Sequence, residues 1–345
     1  MRAEFDLTIA TPLSVGWYEP NEVDKNFYIR PTSIKGLWRW WARAFALGAL
    51  YEAGCPDLGK ATEMVAQWGF GTAGEASKYK ITVKVVQQPK VEKVARRQRR
   101  GIQRLDLIAL SRDVEYAEGG RFTLAVEGEG PHFDLAVGIL AVALTLSGVG
   151  KGGRKSLGVL DITDARGRAP RARDVKELIE AVRSGVKVSC RGSSPGLPPA
   201  PAVAKGAFEV YSANAQFRDV HNFFLRPNRA RALAGNYAAP DPMDRLAWFF
   251  GLPRSQRGTG YLPPREGEEI RRASAVFAAS HGRGHIYGGR TYISVFLSED
   301  WPPRLRWIGA SGSRPINITA QEVKKARDLF VSLIQKAWGA QRIWP

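Results

Sequence analysis

The stretch HFDLAVGILAVALTLSGVGKGGRKSLGVLDITDA, residues 132–165, decides the fold. Its first half, through Leu146, is apolar at nearly every position, which suits a buried helix and is too short to cross a bilayer. Glycines at 148, 150, 152, 153 and 158 then break the helix, and SLGVLDITDA (156–165) reads as a strand. A Walker phosphate cradle needs GxxxxGK[ST] between a strand and the helix that follows, so that the helix N-terminus faces phosphate. Here Arg154 stands where that motif demands glycine, and the helix precedes the loop. A nucleotide cradle is excluded on both counts. What remains is a flexible, cationic turn carrying Lys151, Arg154 and Lys155, whose glycine N–H groups can approach an anion closely. Such a turn suits a repeating sugar–phosphate backbone.

The flanking segments complete a unit. EFDLTIAT (4–11) alternates as a strand does and stops at Pro12, and YKITVKVV (79–86) and RFTLAVEG (121–128) are further strands. IKGLWRWWARAFALGALYEAG (34–54) places Ile34, Trp38, Trp41 and Phe45 at helical spacing, with Ser33 as the expected N-cap. The order strand, helix, strand, strand, helix, strand is the split β-α-β-β-α-β arrangement, the ferredoxin-like topology shared by RNA-recognition (RRM-like) modules. DVKELIEAVRSG (174–185) adds a helix, and the Pro/Gly/Ser-rich segment 190–206 reads as a linker. Beyond it, 207–217, 273–280 and 290–298 look like strands, 243–252 and 319–339 like helices, and QRIWP has room for a last strand. The expectation is an α+β protein of two tandem ferredoxin-like units with antiparallel sheets. They divide as 1–189, with a basic insertion at about 88–118, then the linker 190–206, then 207–345.

The charge points to a polyanion. The 345 residues hold 51 Lys+Arg against 33 Asp+Glu, a formal +18, with Arg outnumbering Lys. That surplus favours nucleic acid ahead of an anionic membrane or acidic protein, and a planar guanidinium suits phosphates and bases. Lys35, Arg39 and Arg43 recur at i, i+4 and i+8 beside the tryptophan face, with Arg30 just before them, and Trp40 lies off the apolar seam as a candidate for stacking on a base. KVEKVARRQRRGIQRL (90–105), containing Arg96, Arg97, Arg99 and Arg100, has seven basic residues and one acid, and reads as an arm reaching along a polyanion. In HGRGH (281–285) the glycines argue against a helix that would aim His281 and His285 at one metal, so His281 and Arg283 are read as phosphate contacts and no metal or cofactor is expected. His132 and His221 are isolated. Cys55 and Cys190, far apart and without CxxC spacing, exclude a disulfide framework and a cysteine-based zinc site. Without a signal peptide or membrane span the expected location is the cytoplasm.

Several motifs together resemble the RAMP superfamily of CRISPR-associated proteins. A strand ending in ATP (10–12) is followed by IRPTSIKGLWRWWARA (29–44), similar to an Arg-Pro-x-Ser-Ile-x-Gly motif leading into a tryptophan-rich helix. WGFGTAGEASKYKITVKV (68–85) looks like the family's Phe-Gly segment, and RRASAVFAAS (271–280) resembles its second-domain Arg-x-Ser motif. The opening is most like the first-numbered RAMP subunit of type III-B Cmr effector complexes. That resemblance implies a non-catalytic subunit that sits near the 3′ end of a guide CRISPR RNA, helps engage single-stranded target RNA, and assembles with other Cmr/RAMP subunits. Its implied RNA-facing residues are Arg30, Ser33, Lys35, Arg39, Arg43, Lys151, Arg154 and Lys155. The alternative is a metal-independent RAMP endoribonuclease that processes guide precursors, with His281 or His285 moving the proton.

Overall fold

The computed structural model describes residues 1–16, 19–193, 196–225, 247–252, 254–256, 259–265, 268–309 and 312–345. β1 (Arg2–Ile9) sends Ala3, Phe5, Leu7 and Ile9 inward, as its alternation dictates. The helix α1 (Pro31–Glu52) follows, then α2 (Leu58–Val65), which runs into a π turn over Ala66–Phe70. β2 (Tyr79–Gln87), β3 (Lys90–Val94), α3 (Gln103–Ala109), β4 (Val114–Glu118) and β5 (Arg121–Gly128) come next. The apolar run becomes α4 (Phe133–Leu146), followed by β6 (Leu160–Gly167) and α5 (Val175–Gly185). The main sheet has the order β2-β5-β1-β6 with every pair antiparallel, the expected ferredoxin-like topology.

The second unit repeats it. β7 (Phe208–Ala213), α6 (Phe217–Leu225), β8 (Arg254–Gln256), β9 (Thr259–Leu262), β10 (Val276–Ser280) and β11 (Thr291–Phe296) lead to β12 (Arg304–Gly309) and β13 (Gly312–Asn317). The chain ends in α7 (Ala320–Trp338) and β14 (Gln341–Trp344). Its sheet order, β10-β11-β7-β14, is that of the first unit with the strands renumbered, and again wholly antiparallel. A third sheet, β13-β12-β9-β8, is an addition to the expected pattern.

The units are not separate beads. Trp38 and Trp41 are fully buried, and their indole Nε1–H groups donate to Ala136 O (2.7 Å) and Ser147 Oγ (2.8 Å) on the α4 side, so each buried donor is satisfied. Trp41 then packs edge-on against Phe208 and Phe277 of the second unit, which places both units in one continuous core.

Five expectations change. The helix starts at Pro31 with Arg30 as N-cap and no side-chain cap, so Ser33 lies inside the first turn; proline's fixed φ suits that first position. The basic insertion is no extended arm: β3 and β4 pair, and Val94, Ile102, Leu105, Ala109, Val114 and Tyr116 bury a small core of their own together with Leu157. The segment 190–206 is strapped down rather than free. Val203 N donates to Ala44 O (2.8 Å), Gly192 N donates to Ala53 O (2.8 Å), and a Cβ on Gly48 would overlap the Val203 backbone. Cys55 and Cys190 are joined as a disulfide across that strap, because a separation of 135 residues along the chain says nothing of distance in the fold. The helix expected at 243–252 lies outside the described residues over 243–246, and Ala247–Phe250 forms a single 3-10 turn.

Candidate nucleic-acid interface

The open face of the first sheet, where an RRM-like module would stack bases, is occupied by ion pairs. Arg166 meets Asp6 (2.7 Å), Asp164 and Glu4 (3.6 Å), and Arg2 meets Glu127 (2.6 Å). That face is self-neutralised. The cationic concave surface lies elsewhere, at the seam between the units.

There the glycine loop is knitted into place. Gly148 N donates to Gly153 O (2.7 Å), Val149 N to Gly158 O (2.8 Å), Lys151 N to Ser14 O (2.9 Å) and Gly158 N to Pro12 O (2.9 Å). Gly158 needs glycine twice over: its φ is +65°, and a Cβ would overlap the Val149 carbonyl. The far end of the loop docks on the edge strand of the second unit. Ser156 N donates to Ala278 O (3.0 Å) and Ala278 N donates to Arg154 O (3.1 Å), an inter-unit bridge of strand type. The flexible turn read from the sequence is thus a fixed wall.

The opposite wall is α1. Thr32, Ser33, Gly36, Leu37 and Trp40, spaced so that they share one helical face, look across at Gly148–Lys155. Arg104 of α3, His221 of α6 and Phe277 of β10 close a groove of about 650 Å³. Its lining holds four cations, Arg104, Lys151, Arg154 and Lys155, and no carboxylate. Burial is the first cause that pulls the Lys151 ammonium below the ordinary lysine value, with Arg104 and Arg112 adding to it, so an incoming anion relieves a crowd of like charges. Trp40 is not a free platform. Its ring lies 4.8 Å from Phe277, and the Arg154 guanidinium sits 5.6 Å from Trp40 and 5.0 Å from Phe277 as a cation–π contact.

His221, isolated in the sequence, joins the walls. Its Nδ1–H donates to Lys155 O (2.7 Å) and its Nε2 accepts from Arg104 N (3.2 Å), so the neutral ring bridges the glycine loop and α3. Burial pushes its pKa down to about 4. Nothing in the local sequence announced this role.

The other candidates fall outside the groove. Lys35, Arg39 and Arg43 occupy neighbouring α1 faces, and Arg39 Nε donates to Phe70 O (3.1 Å), holding the π turn. Arg30 is paired with the buried Asp24 (2.7 Å) and positions the entry to α1. Arg96, Arg97, Arg99 and Arg100 are exposed at the β3–α3 turn, and Arg283 is exposed in the β10–β11 hairpin. His281 is removed from solvent altogether. Its Nδ1 meets Asp161 Oδ1 (2.8 Å) and its Nε2 meets Thr145 O (2.7 Å), two acceptors across the seam, so the expected phosphate contact is instead a structural tie between units. His285 stacks on it at 3.8 Å, and its Nδ1 accepts from Ile162 N (3.0 Å). Asp161, His281 and His285 bring one carboxylate and two imidazoles together. A metal on His285 Nε2 would, however, require a proton on Nδ1, where the Ile162 N–H already points, so the donor set does not fit an ion.

Comparison with known proteins fits this geometry. Residues 6–161 match the profile of the RAMP superfamily, in agreement with the resemblance carried by residues 29–44. No curated protein matches the chain. The fold is Cmr1-like. The chain is similar to apo Cmr1 from Pyrococcus furiosus, with TM-score 0.59 and 19% identity over 100% of this chain and 99% of that one. It is also similar to a chain of the type III-B Cmr-beta complex bound to cognate target RNA, with TM-score 0.51 and 12% identity over 96% and 99% of the two chains. A chain of that complex with target RNA, AMPPnP and single-stranded DNA gives TM-score 0.50 and 13% identity, again over 96% and 99%.

Proposed function

We propose that this protein is a non-catalytic RNA-binding subunit of a type III-B CRISPR effector complex, lying near the 3′ end of the guide RNA and helping to engage target RNA. One observation carries the reading: a groove at the seam of two ferredoxin-like units is lined by four cations and no carboxylate. Single-stranded RNA is recognised by such cationic grooves with adaptable polar and aromatic walls. The presence of target RNA in two of the similar assemblies supports the same partner. The ribonuclease alternative, which relies on a histidine to move the proton, finds no such group within reach of substrate in the groove. His221, the histidine at that groove, is buried and has both ring nitrogens engaged by backbone.

The test is purification of the tagged protein from its own cells. The reading expects guide-length RNA and several RAMP subunits to come with it, and the purified protein to leave repeat RNA intact in the presence of a chelator. A solitary protein that cuts repeat RNA at one position would overturn it.

A further inference from the structure

A second concavity of about 700 Å³ opens beside the first, between the ends of β1 and β7 and the β10–β11 hairpin. Its rim carries the exposed side chains of Asn214, Gln216 and Arg290, together with the half-exposed ring of Phe217. No carboxylate lines it. Arg290 forms no ion pair among the described residues.

The two concavities are physically joined in two ways. Phe217 at the second and His221 at the first stand four residues apart on α6, one helical turn on one face. Beneath them runs a chain of hydroxyls from the glycine loop: Ser156 Oγ donates to Ser280 Oγ (2.7 Å), and Thr291 Oγ1 lies 2.9 Å from Ser280 Oγ and 2.7 Å from Ala215 O. The wall of the first groove and the rim of the second are therefore held in a fixed relation.

Resting on the RNA-binding reading above, we propose that the second concavity is a further nucleotide subsite, taking the next one or two nucleotides of the single strand that leaves the first groove. The chemistry matches residue by residue. Amides such as Asn214 and Gln216 offer a donor and an acceptor side by side, which suits base edges. The Phe217 ring offers a face to a base, with the Arg218 guanidinium 5.9 Å from its centre, and Arg290 supplies the charge for phosphate.

The experiment compares two single-stranded RNAs on the full chain by fluorescence anisotropy: one just long enough for the first groove and one several nucleotides longer. Wild-type protein binds the longer RNA more tightly. The exposed double variant Gln216→Ala, Arg290→Ala loses about tenfold or more of that advantage and keeps its affinity for the short RNA. Photo-crosslinking of a thiouridine-substituted long RNA then labels the 214–218 peptide. A double variant that binds both RNAs as wild type does, or a wild type with no length advantage, overturns the subsite and leaves the first groove standing. A wild type that binds neither RNA overturns both readings at once.

Discussion

Acid should loosen the groove before it unfolds the rest, and His221 gives the size of the effect. Its ring is fully buried and neutral, donating to Lys155 O and accepting from Arg104 N, with a pKa pushed down to about 4. In the unfolded chain the same ring titrates near 6.5, its ordinary value. The folded pKa is depressed, so its contribution is present above the unfolded pKa and is lost as pH falls from 6.5 towards 4. At about pH 5 the unfolded ring has taken up its proton while the folded ring stays neutral, which removes about 2 kcal/mol relative to pH 7.5. The assay is urea unfolding of wild type and His221→Phe at both pH values, comparing midpoints at a common m-value. At pH 7.5 the variant should be weaker by about 1–3 kcal/mol for each buried partner left unsatisfied. By pH 5 the gap between the proteins should shrink by about 2 kcal/mol, because other titrating groups are common to both. A gap that is the same at both pH values would refute the bridging role.

Other outcomes follow from single contacts. Reduction of Cys55–Cys190, or Cys190→Ser, should cost about 2–5 kcal/mol because the bond closes a long loop, and reductant should then have no further effect on the variant's melting temperature. Gly158→Ala should lower the melting temperature markedly, since both its positive φ and the Val149 carbonyl oppose a side chain. Gly36 is the contrast: a Cβ there meets nothing within 4 Å, so Gly36→Glu should fold normally and yet weaken RNA binding by placing a carboxylate in the groove.

Periodicity made much of the scaffold legible. The alternation of residues 4–11 and the apolar run at 133–146 gave β1 and α4, and pattern recovered the β-α-β-β-α-β order of the first unit and, in the second, its sheet strands and last helix, but not α6. The basic insertion was misread because its charges hide a sparse apolar set, Val94, Ile102, Leu105 and Val114, that is buried only once β3 and β4 pair. The glycine loop was found as a cationic element, but its rigidity comes from Ser14, Pro12 and Ala278, far away in the chain. His221 and the Cys55–Cys190 pair share that cause: their partners are fixed by tertiary packing and leave no local signal. The stripe Lys35, Arg39, Arg43 shows the converse limit. Helical spacing identifies residues that share a face, and only packing decides which face borders the groove.

The account stands on the groove at the seam, and the salt dependence of its RNA affinity tests this most directly. For single strands, log K falls with log salt by about 0.7 per phosphate neutralised. Arg104→Ala, Lys151→Ala together should lower affinity and flatten the slope by about 1.4, whereas Lys80→Ala, Lys84→Ala on the exposed side of β2 should leave it unchanged. Equal slopes for the wild type and the groove variant would contradict the account.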